Sequence, residues 1–320
     1  MASRRIIVGG GAAGFFAAIA CAESLSGGEV LMLEKSPQFL AKVRISGGGR
    51  CNVTHACEDA VELSRHYPRG SQALIGAFRR FGPADTIAWF ERRGVSLKTE
   101  ADGRMFPRSD SSQTVVDCLM TAAREYGVRL VANCGVTKAS RHASGGFRVT
   151  LANGEELECG RLLLALGGCR TAAAGDLAIM LGHTLAPPVP SLFAFQVAQP
   201  ALNQLAGIAV EDVEVSVAEA RLKGRGPLLV THTGLSGPAI LRLSAWGARA
   251  LHELDYRFRL QINWLPQYSL DALAAEIRAR RAEQAARLVS ATPLKPLPAR
   301  LWNHLRSEER RVGKECRSRW

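Results

Sequence analysis

The residues best suited to chemistry in this chain lie in two glycine-rich loops and at one acid, all among its first 52 positions. The first loop is Gly9-x-Gly11-x-x-Gly14, the acid is Glu34, and the second loop is Ser46-Gly47-Gly48-Gly49-Arg50-Cys51-Asn52. In such a first loop, one glycine permits a tight turn, the next leaves room for a pyrophosphate, and the last lets a helix pack closely on a strand. Glu34 stands 20 residues after Gly14, the spacing at which a carboxylate reaches the ribose hydroxyls of a dinucleotide. The pattern predicts a site for FAD or NAD.

Two strands and a helix must position these groups. Residues 5–8 are a β-branched run that predicts a buried strand, and residues 12–22 predict an alanine-rich helix. Ala12 and Ala13 open this helix, whose free N–H groups and positive dipole end favour an anion. Residues 30–33 predict a second strand, which leads into Glu34 and Lys35.

Two other interpretations of this start compete with a nucleotide site. Arg4 and Arg5 precede an apolar run, and Ala20-Cys21-Ala22 resembles a small-residue cleavage site, as in a signal peptide. The other is a glycine-rich turn that binds nothing. The small residues at the start of the run and the acid after the second strand favour the nucleotide site. A second glycine cluster directly after the acid favours FAD over NAD, because a simple NAD dehydrogenase does not need one.

Three sequence blocks are similar to those of a known family. They are Lys42-x-x-Ile45-Ser46-Gly47-Gly48-Gly49-Arg50-Cys51-Asn52, Gly103-Arg104-Met105-Phe106-Pro107, and Thr231-His232-Thr233-Gly234-Leu235-Ser236-Gly237-Pro238. In this order they resemble the signature blocks of the BaiN/RdsA family of NAD(P)/FAD-dependent oxidoreductases, also called aminoacetone-oxidase-like, up to about residue 305. The resemblance implies an α/β fold that binds FAD in a Rossmann-like, glutathione-reductase-like domain. It also implies an inserted β-rich domain and a small helical subdomain.

The second loop has residues that suit a flat, redox-active ring. Three consecutive glycines let the backbone and its N–H groups approach such a ring. Arg50 is predicted to stabilise a flavin phosphate or the reduced ring, and Asn52 offers both a donor and an acceptor. Cys51 is the candidate catalytic residue, as a proton donor or redox partner, and a small buried residue is the alternative. His55 is a weaker candidate acid.

Two later segments are predicted to complete the cofactor site. In flavin folds of this type, the position of Val136 brings a backbone group to the adenine. Residues 162–166 are apolar throughout, which predicts a fully buried parallel strand ending at Ala165, Gly167 and Gly168 beside the cofactor. Leu166 departs from the family's Ala-Thr-Gly-Gly pattern, and the loop at residues 169–175 is short. The predicted cofactor-binding residues are Gly9, Gly11, Ala12, Ala13, Gly14, Glu34, Lys35, Lys42, Ser46, Gly47, Gly48, Gly49, Arg50, Cys51, Asn52, Val136, Ala165, Gly167 and Gly168.

Periodicity and turn residues predict the remaining elements. Helices are expected at residues 83–93, 114–126 and 269–289, and a strand at 128–134. A hairpin is expected at residues 147–159 across Asn153-Gly154. Ser236 is predicted to cap a helix that starts at Gly237-Pro238 and continues with helical spacing over residues 240–251. His232, at the preceding strand end, invites a catalytic interpretation, although a structural histidine is the alternative.

The chain is predicted to have four parts. Residues 1–185 are expected to form the N-terminal part of the FAD-binding domain, 186–264 the inserted β-rich domain, and 265–305 the start of the helical subdomain. Residues 306–320 resemble a sequence that recurs at the ends of unrelated chains, and we expect them to be a non-native tail. The family's closing glycine-rich block is then missing, so the sequence predicts a truncated flavoprotein.

Composition narrows the class of partner. The formal net charge is +12, of which residues 306–320 contribute +3, and such a balance is compatible with an anionic partner such as RNA. The eight cysteines show no metal spacing and no paired framework, as expected for reduced thiols, so no metal site is predicted. No apolar run is long enough to span a membrane, and a cytoplasmic enzyme is expected. The oligomeric state is left open.

The leading functional prediction is an FAD-dependent reductase of an activated C=C or C=N bond. Only one dinucleotide fingerprint occurs, so NAD(P)H would bind transiently as the reductant. The substrate is predicted to be either a uracil in ribosomal RNA, reduced to dihydrouridine, or a small enone. A small-amine oxidase that uses oxygen and an inactive, flavin-free fragment are the alternatives.

Overall fold

The computed structural model describes residues 4–24, 27–143, 145–168, 175–197, 202, 204–285 and 287–310. The chain divides into two compact units, Met1–Pro188 and Val189–Trp320. The finer domain boundaries at residues 264 and 305 stay predictions. One helix, Ala299–Arg310, crosses the second of these boundaries.

The first unit contains ten strands and seven helices among its described residues. The strands are β1 (Arg5–Val8), β2 (Val30–Leu33), β3 (Thr54–His55), β4 (Leu97–Thr99), β5 (Arg104–Pro107), β6 (Arg129–Val131), β7 (Val136–Arg141), β8 (Phe147–Leu151), β9 (Glu156–Cys159) and β10 (Arg161–Leu164). The helices are α1 (Ala12–Glu23), α2 (Ala41–Ile45), α3 (Ala60–Arg65), α4 (Ser71–Arg80), α5 (Pro83–Glu91), α6 (Ser112–Glu125) and α7 (Asp176–Met180).

A four-stranded parallel sheet forms the centre of this unit, in the order β10-β1-β2-β6. The predicted β1, α1 and β2 are confirmed. Strands β1 and β2 are almost wholly buried because side chains cover both faces of the sheet. Helix α1 contributes Phe15 and Ile19 to the core.

Strand β10 is parallel as predicted, but the prediction that it is fully buried is wrong. Among the described residues it pairs only with β1, which makes it the edge strand of the sheet. Arg161 is exposed and Leu163 retains 41% of its exposure. An apolar run shows that a strand borders a core, but it does not distinguish a central strand from an edge strand.

Two smaller sheets complete the first unit. Strands β7, β8 and β9 form an antiparallel meander, and the predicted hairpin turn at Asn153-Gly154 is confirmed by the Gly154 N–H bond to the Leu151 carbonyl at 3.0 Å. Strands β3, β5 and β4 form a second sheet. The strand predicted at residues 128–134 is shorter than expected, because Asn133 takes a left-handed conformation with φ 53° that ends β6.

The second unit is built on a five-stranded antiparallel sheet in the order β11-β14-β13-β12-β15. Its strands are β11 (Phe195–Gln196), β12 (Ala209–Val217), β13 (Leu222–Val230), β14 (Gly234–Ser236) and β15 (Gln261–Asn263). Its helices are α8 (Pro238–Trp246), α9 (Ala248–Glu253), α10 (Leu270–Glu283) and α11 (Ala299–Arg310). Alternate residues of β12, namely Val213, Val215 and Val217, are completely buried against α8 and the neighbouring strands.

Three predictions for this unit need correction. Ser236 lies in β14, and Gly237, with φ 95°, is the residue before the helix; a Cβ there would lie 2.8 Å from the Pro227 carbonyl oxygen, so only glycine fits. The helix predicted at 240–251 divides at Gly247 into α8 and α9. Helix α10 begins after Ser269, whose hydroxyl accepts the Ala272 N–H at 3.2 Å, but it ends at Glu283 rather than at 289.

The helices predicted at residues 83–93 and 114–126 are confirmed as α5 and α6. None of the described helices combines the length and apolar character needed to cross a membrane. In the same part of the chain, no group of three His, Cys, Asp or Glu side chains is placed to hold a metal ion.

Substituting Gly14 by alanine tests the close packing of α1 on β1. A Cβ at Gly14 would lie 1.9 Å from the Gly9 carbonyl oxygen, so we expect Gly14→Ala to lower the free energy of unfolding by about 2 kcal/mol or more. The matched control is Gly76→Ala in α4, where a Cβ has no neighbour within 4 Å, and alanine raises helix stability by up to about 1 kcal/mol. Urea unfolding measures both, and equal effects would contradict the packing argument.

Candidate cofactor-binding site

The carboxyl ends of β1 and β10 meet at the first glycine loop. Gly9 has φ 114°, and a Cβ on it would lie 2.3 Å from the Ala165 carbonyl oxygen. The Ala165 N–H in turn donates to the Val8 carbonyl at 2.8 Å. With Gly14 also pressed against Gly9, three backbone segments approach more closely than any side chain would allow. The sequence therefore needs glycine at both positions.

The N-terminus of α1 is open toward solvent. Gly11 is the extended residue before the helix, no side chain caps the first turn, and no acid lies in it. Ala12 and Ala13 are exposed, and a Cβ on Gly11 would have no neighbour within 4 Å. Free N–H groups, the positive helix end and open space beside Gly11 together suit an anion such as a pyrophosphate.

Glu34 is fixed at the end of β2 by three hydrogen bonds. One carboxylate oxygen accepts the Gly10 N–H at 2.7 Å, and the other accepts the N–H and the hydroxyl of Ser36, each at 2.8 Å. Burial raises the pKa of this carboxyl, but the bonds from Ser36 and Gly10 outweigh burial and leave the pKa below its ordinary value. A carboxylate has about four acceptor positions, so the ionised group can still accept a ribose hydroxyl.

The start of β7 lies beside this acid. The Cys134 N–H donates to the Glu34 carbonyl at 2.8 Å, and a Cβ on Gly135 would lie 3.5 Å from the Lys35 Cβ. Val136, the next residue, opens β7 and is half-buried. The structure thus brings Lys35 and Val136 to the same edge of the parallel sheet, and the adenine contact stays a prediction.

The second glycine loop is a left-handed turn with an open outer side. Gly47, Gly48 and Gly49 have φ values of 57°, 68° and 85°, which favour glycine. A Cβ on Gly47 would lie 2.9 Å from the Asn52 backbone nitrogen and 3.0 Å from the Phe106 ring. A Cβ on Gly48 or Gly49 would meet nothing within 4 Å. The inner side of the turn is therefore packed, and the outer side leaves room for a ligand.

The Arg50 side chain stabilises this turn through contacts with an aromatic ring and two carboxylates. Its guanidinium lies 4.1 Å from the centre of the Phe106 ring and pairs with Glu100 at 2.5 Å and Asp110 at 3.7 Å. The prediction that Arg50 contacts a flavin phosphate or the reduced ring stays a prediction. The contacts assign Arg50 to holding the turn on the β3-β5-β4 sheet.

Asn52 also serves the turn. With its amide nitrogen facing the sheet, it donates to the Met105 carbonyl at 3.1 Å and to the Thr54 carbonyl at 2.9 Å. The Asn52 amide N–H groups thus donate to backbone carbonyls of the protein rather than to a ligand. The neighbouring Val53 N–H donates to the Met105 carbonyl at 2.9 Å and joins the loop to β5.

Cys51 is part of the hydrophobic core. Its side chain is only 7% exposed, and its backbone has φ 61°. Burial raises the pKa of the Cys51 thiol, and a hydrogen bond with Ser46 offsets only part of this rise. The group is therefore a protonated thiol at neutral pH rather than a reactive thiolate. The raised pKa disfavours a thiolate redox partner, and the role of Cys51 as a proton donor stays a prediction.

Lys42 reaches from α2 to the loop after β10. A Cβ on Gly167 would lie 3.4 Å from the Lys42 Nζ, and both Gly167 and Gly168 are exposed. The Leu40 N–H, just before α2, donates to the Gly10 carbonyl at 2.8 Å. These contacts bring Lys42, the first loop and the β10 loop to one edge of the sheet. Residues 169–174 of the short loop after β10 lie outside the described residues.

The two histidine candidates, His55 and His232, lie in different units of the chain. The His55 Nε2 lies 3.1 Å from the Asp102 carbonyl oxygen, and its ring packs against Gly103 and on His66. His232 is exposed between β13 and β14.

Sequence reasoning missed the roles of Gly10, Ser36 and Phe106, which fix the acid and the turn. The Gly103–Pro107 block contained Phe106, but only the fold shows that it lies beneath residues about 60 positions earlier.

The Glu34 hydrogen bonds predict a pH-dependent loss of stability. The folded pKa lies below the ordinary value of 4.5, so the ionised carboxylate stabilises the fold above that pH, and this contribution disappears as the pH falls through the folded pKa. We expect Glu34→Gln to lower the free energy of unfolding by about 1–2 kcal/mol at pH 7 and by progressively less below pH 4.5. Exposed Glu58→Gln is the control, and urea unfolding across pH measures both. A loss that stays constant with pH would contradict this role.

Comparisons with known proteins agree with the motifs. The chain is 29% identical to a 3-dehydro-bile acid delta(4,6)-reductase of Clostridium scindens, over 82% of this chain and 64% of that protein. It is 30% identical to a ribosomal RNA dihydrouridine synthase of Escherichia coli K12, over 85% of this chain and 66% of that protein. The chain thus spans about two thirds of the length of these relatives. Among solved structures, it matches a 3-ketosteroid-delta4-(5alpha)-dehydrogenase of Rhodococcus jostii RHA1 with TM-score 0.43 and 15% identity, over 65% of this chain and 59% of that chain.

Two family models cover the chain. The HI0933-like protein Rossmann domain matches residues 3–230, and the HI0933-like protein barrel and H2TH domain matches residues 189–317. The second match continues into the segment predicted as a non-native tail, so that prediction stays open. The fold is the Rossmann-like fold of FAD-binding oxidoreductases with an additional barrel and H2TH domain. The chain therefore belongs to the HI0933-like family, the BaiN/RdsA-type FAD-dependent oxidoreductases that its motifs resemble.

Proposed function

We propose that the chain binds FAD at the carboxyl ends of β1, β2 and β10 and acts as an FAD-dependent reductase. The observation that carries the proposal is the open space at two glycines, Gly11 and Gly48, where a Cβ would meet nothing within 4 Å. Each lies on a loop that also has a packed glycine: Gly9 and Gly14 in the first loop and Gly47 in the second. In such a loop, the packed glycines fix the backbone and the open glycine leaves space for a bound dinucleotide.

In this proposal, different residues of the chain bind different parts of FAD. The N–H groups at the start of α1 bind the pyrophosphate, the ionised Glu34 accepts a ribose hydroxyl, and Val136 offers backbone to the adenine. The bare glycines of the second loop let the backbone approach the ring, and the Lys42 ammonium lies near Gly167. Bound FAD supplies the acceptance and donation of hydride. No residue of the chain is needed as a covalent partner.

We propose reduction of an activated C=C bond as the reaction. The names of both relatives, a delta(4,6)-reductase and a dihydrouridine synthase, describe proteins that saturate such a bond. NAD(P)H is the proposed reductant and binds transiently, since the sequence has one dinucleotide fingerprint. Of the two substrate classes, the net charge of +12 favours a uracil in ribosomal RNA over an uncharged small enone.

Flavin binding by the purified chain tests the site directly. We expect Gly11→Val to abolish bound flavin without unfolding the chain, because the new side chain enters the open space that the pyrophosphate needs. Gly76→Ala, whose Cβ also meets nothing within 4 Å but which lies in α4, is the control and retains flavin. Flavin absorbance and circular dichroism measure binding and folding. A folded Gly11→Val protein with stoichiometric flavin would remove the first loop from the site.

The substrate class is tested in cells and in solution. We expect deletion of the gene to remove one dihydrouridine from ribosomal RNA, and the intact gene, but not a Gly11→Val copy, to restore it. Mass spectrometry of digested ribosomal RNA measures the change. Unchanged RNA, together with NAD(P)H-dependent reduction of an enone by the purified protein, would transfer the proposal to a small-molecule substrate. Release of hydrogen peroxide from small amines would support an oxidase instead and contradict the reductase.

A further inference from the structure

An exposed tryptophan lies between two arginines in the sequence of the second unit. Trp246, the last residue of α8, retains 52% of its exposure, which is high for so large an apolar side chain. Arg242 precedes it by one helical turn, and Arg249 follows it in the first turn of α9; both are exposed. We call these three residues the Trp246 patch.

The rest of the two helices is held against the sheet. In α8, the residues Ala239, Ile240 and Leu243 are at most 2% exposed, and Gly224 of β13 lies so close that a Cβ on it would be 3.1 Å from the Ala239 carbonyl oxygen. Gly247, between the helices, packs even more closely: a Cβ on it would lie 2.1 Å from the Leu222 Cδ1 atom. The buried side is thus fixed, and residues four positions apart on the remaining side of α8 face outward together.

The arginines of the patch differ from other cations of the same unit. Arg225 pairs with Asp212 at 2.7 Å, Lys223 with Glu214 at 2.9 Å and Arg280 with Glu276 at 2.7 Å. Within the part of the chain that the structure describes, neither Arg242 nor Arg249 has a carboxylate within 4.0 Å, although Glu253 ends the same helix as Arg249. Two cations without a counter-charge beside an exposed indole favour an anionic partner that also offers an aromatic face.

We propose that the Trp246 patch binds single-stranded RNA, with a base stacked on the indole and the flanking phosphates held by Arg242 and Arg249. The inference rests on the proposed RNA substrate and names the surface that holds it outside the cofactor site. Single-stranded RNA combines the two chemistries that the patch presents, since every base has a stacking face and every nucleotide carries a phosphate. The net charge of +12 also attracts the negatively charged RNA over longer distances.

Binding of a fluorescein-labelled single-stranded uridine oligonucleotide, followed by anisotropy, tests the patch. We expect Trp246→Ala to weaken binding about 5- to 100-fold and Trp246→Phe to restore most of the loss, because a phenyl ring still stacks. The double variant Arg242→Ala/Arg249→Ala should weaken binding and reduce the dependence of log affinity on log salt by about 1.4, the value for two phosphate contacts.

The control is Arg278→Ala/Arg281→Ala, which removes two exposed arginines from α10 and should change affinity by less than about twofold. Equal losses in the two double variants would overturn the proposal, since net charge alone would then explain binding. Tight binding of a polyglutamate peptide that depends on Trp246 as strongly as RNA binding does would also overturn it, in favour of an acidic protein partner. Oligonucleotide binding needs no flavin, so failure of the patch and failure of the reductase proposal are seen separately.

Discussion

The contact on which the rest of the first unit depends is the close approach of three backbone segments at Gly9. A Cβ on Gly14 would lie 1.9 Å from the Gly9 carbonyl oxygen, and a Cβ on Gly9 would lie 2.3 Å from the Ala165 carbonyl oxygen. This contact places the N-terminus of α1 directly above the end of β1 and beside the loop after β10. The positive end of the helix therefore points to the edge of the sheet where β2 delivers Glu34.

The second glycine loop depends on a different contact, made from far along the chain. Phe106 packs under Gly47, and Arg50 lies on the same ring while it pairs with Glu100. The polar and reactive side chains of the loop therefore serve its structure. What the loop offers a ligand is bare backbone at Gly48 and Gly49, which suits the binding of a flat ring better than catalysis by a side chain.

Local sequence predicts the β1-α1-β2 start, because a strand, a glycine turn, a helix and an acid follow one another within 34 residues. The hairpin at Asn153-Gly154 and the helices α5 and α6 are likewise local. The exposure of β10, the cap at Gly237 and the early end of β6 at Val131 could not be predicted, because each depends on tertiary contacts. The packing of Arg50 on Phe106 and of Cys51 in the core also could not be predicted, because these contacts join residues far apart in sequence.

The central claim is that this edge of the sheet binds a whole dinucleotide through its pyrophosphate and adenosine half, and not only a flavin ring. The direct measurement is the dissociation constant of FAD and of FMN for the flavin-free chain at equal salt and pH. FMN lacks the adenosine whose ribose meets Glu34, and one charge-assisted hydrogen bond stabilises a complex by about 1.5–3 kcal/mol. The account predicts that FAD binds at least about tenfold more tightly than FMN. Equal affinities would contradict it.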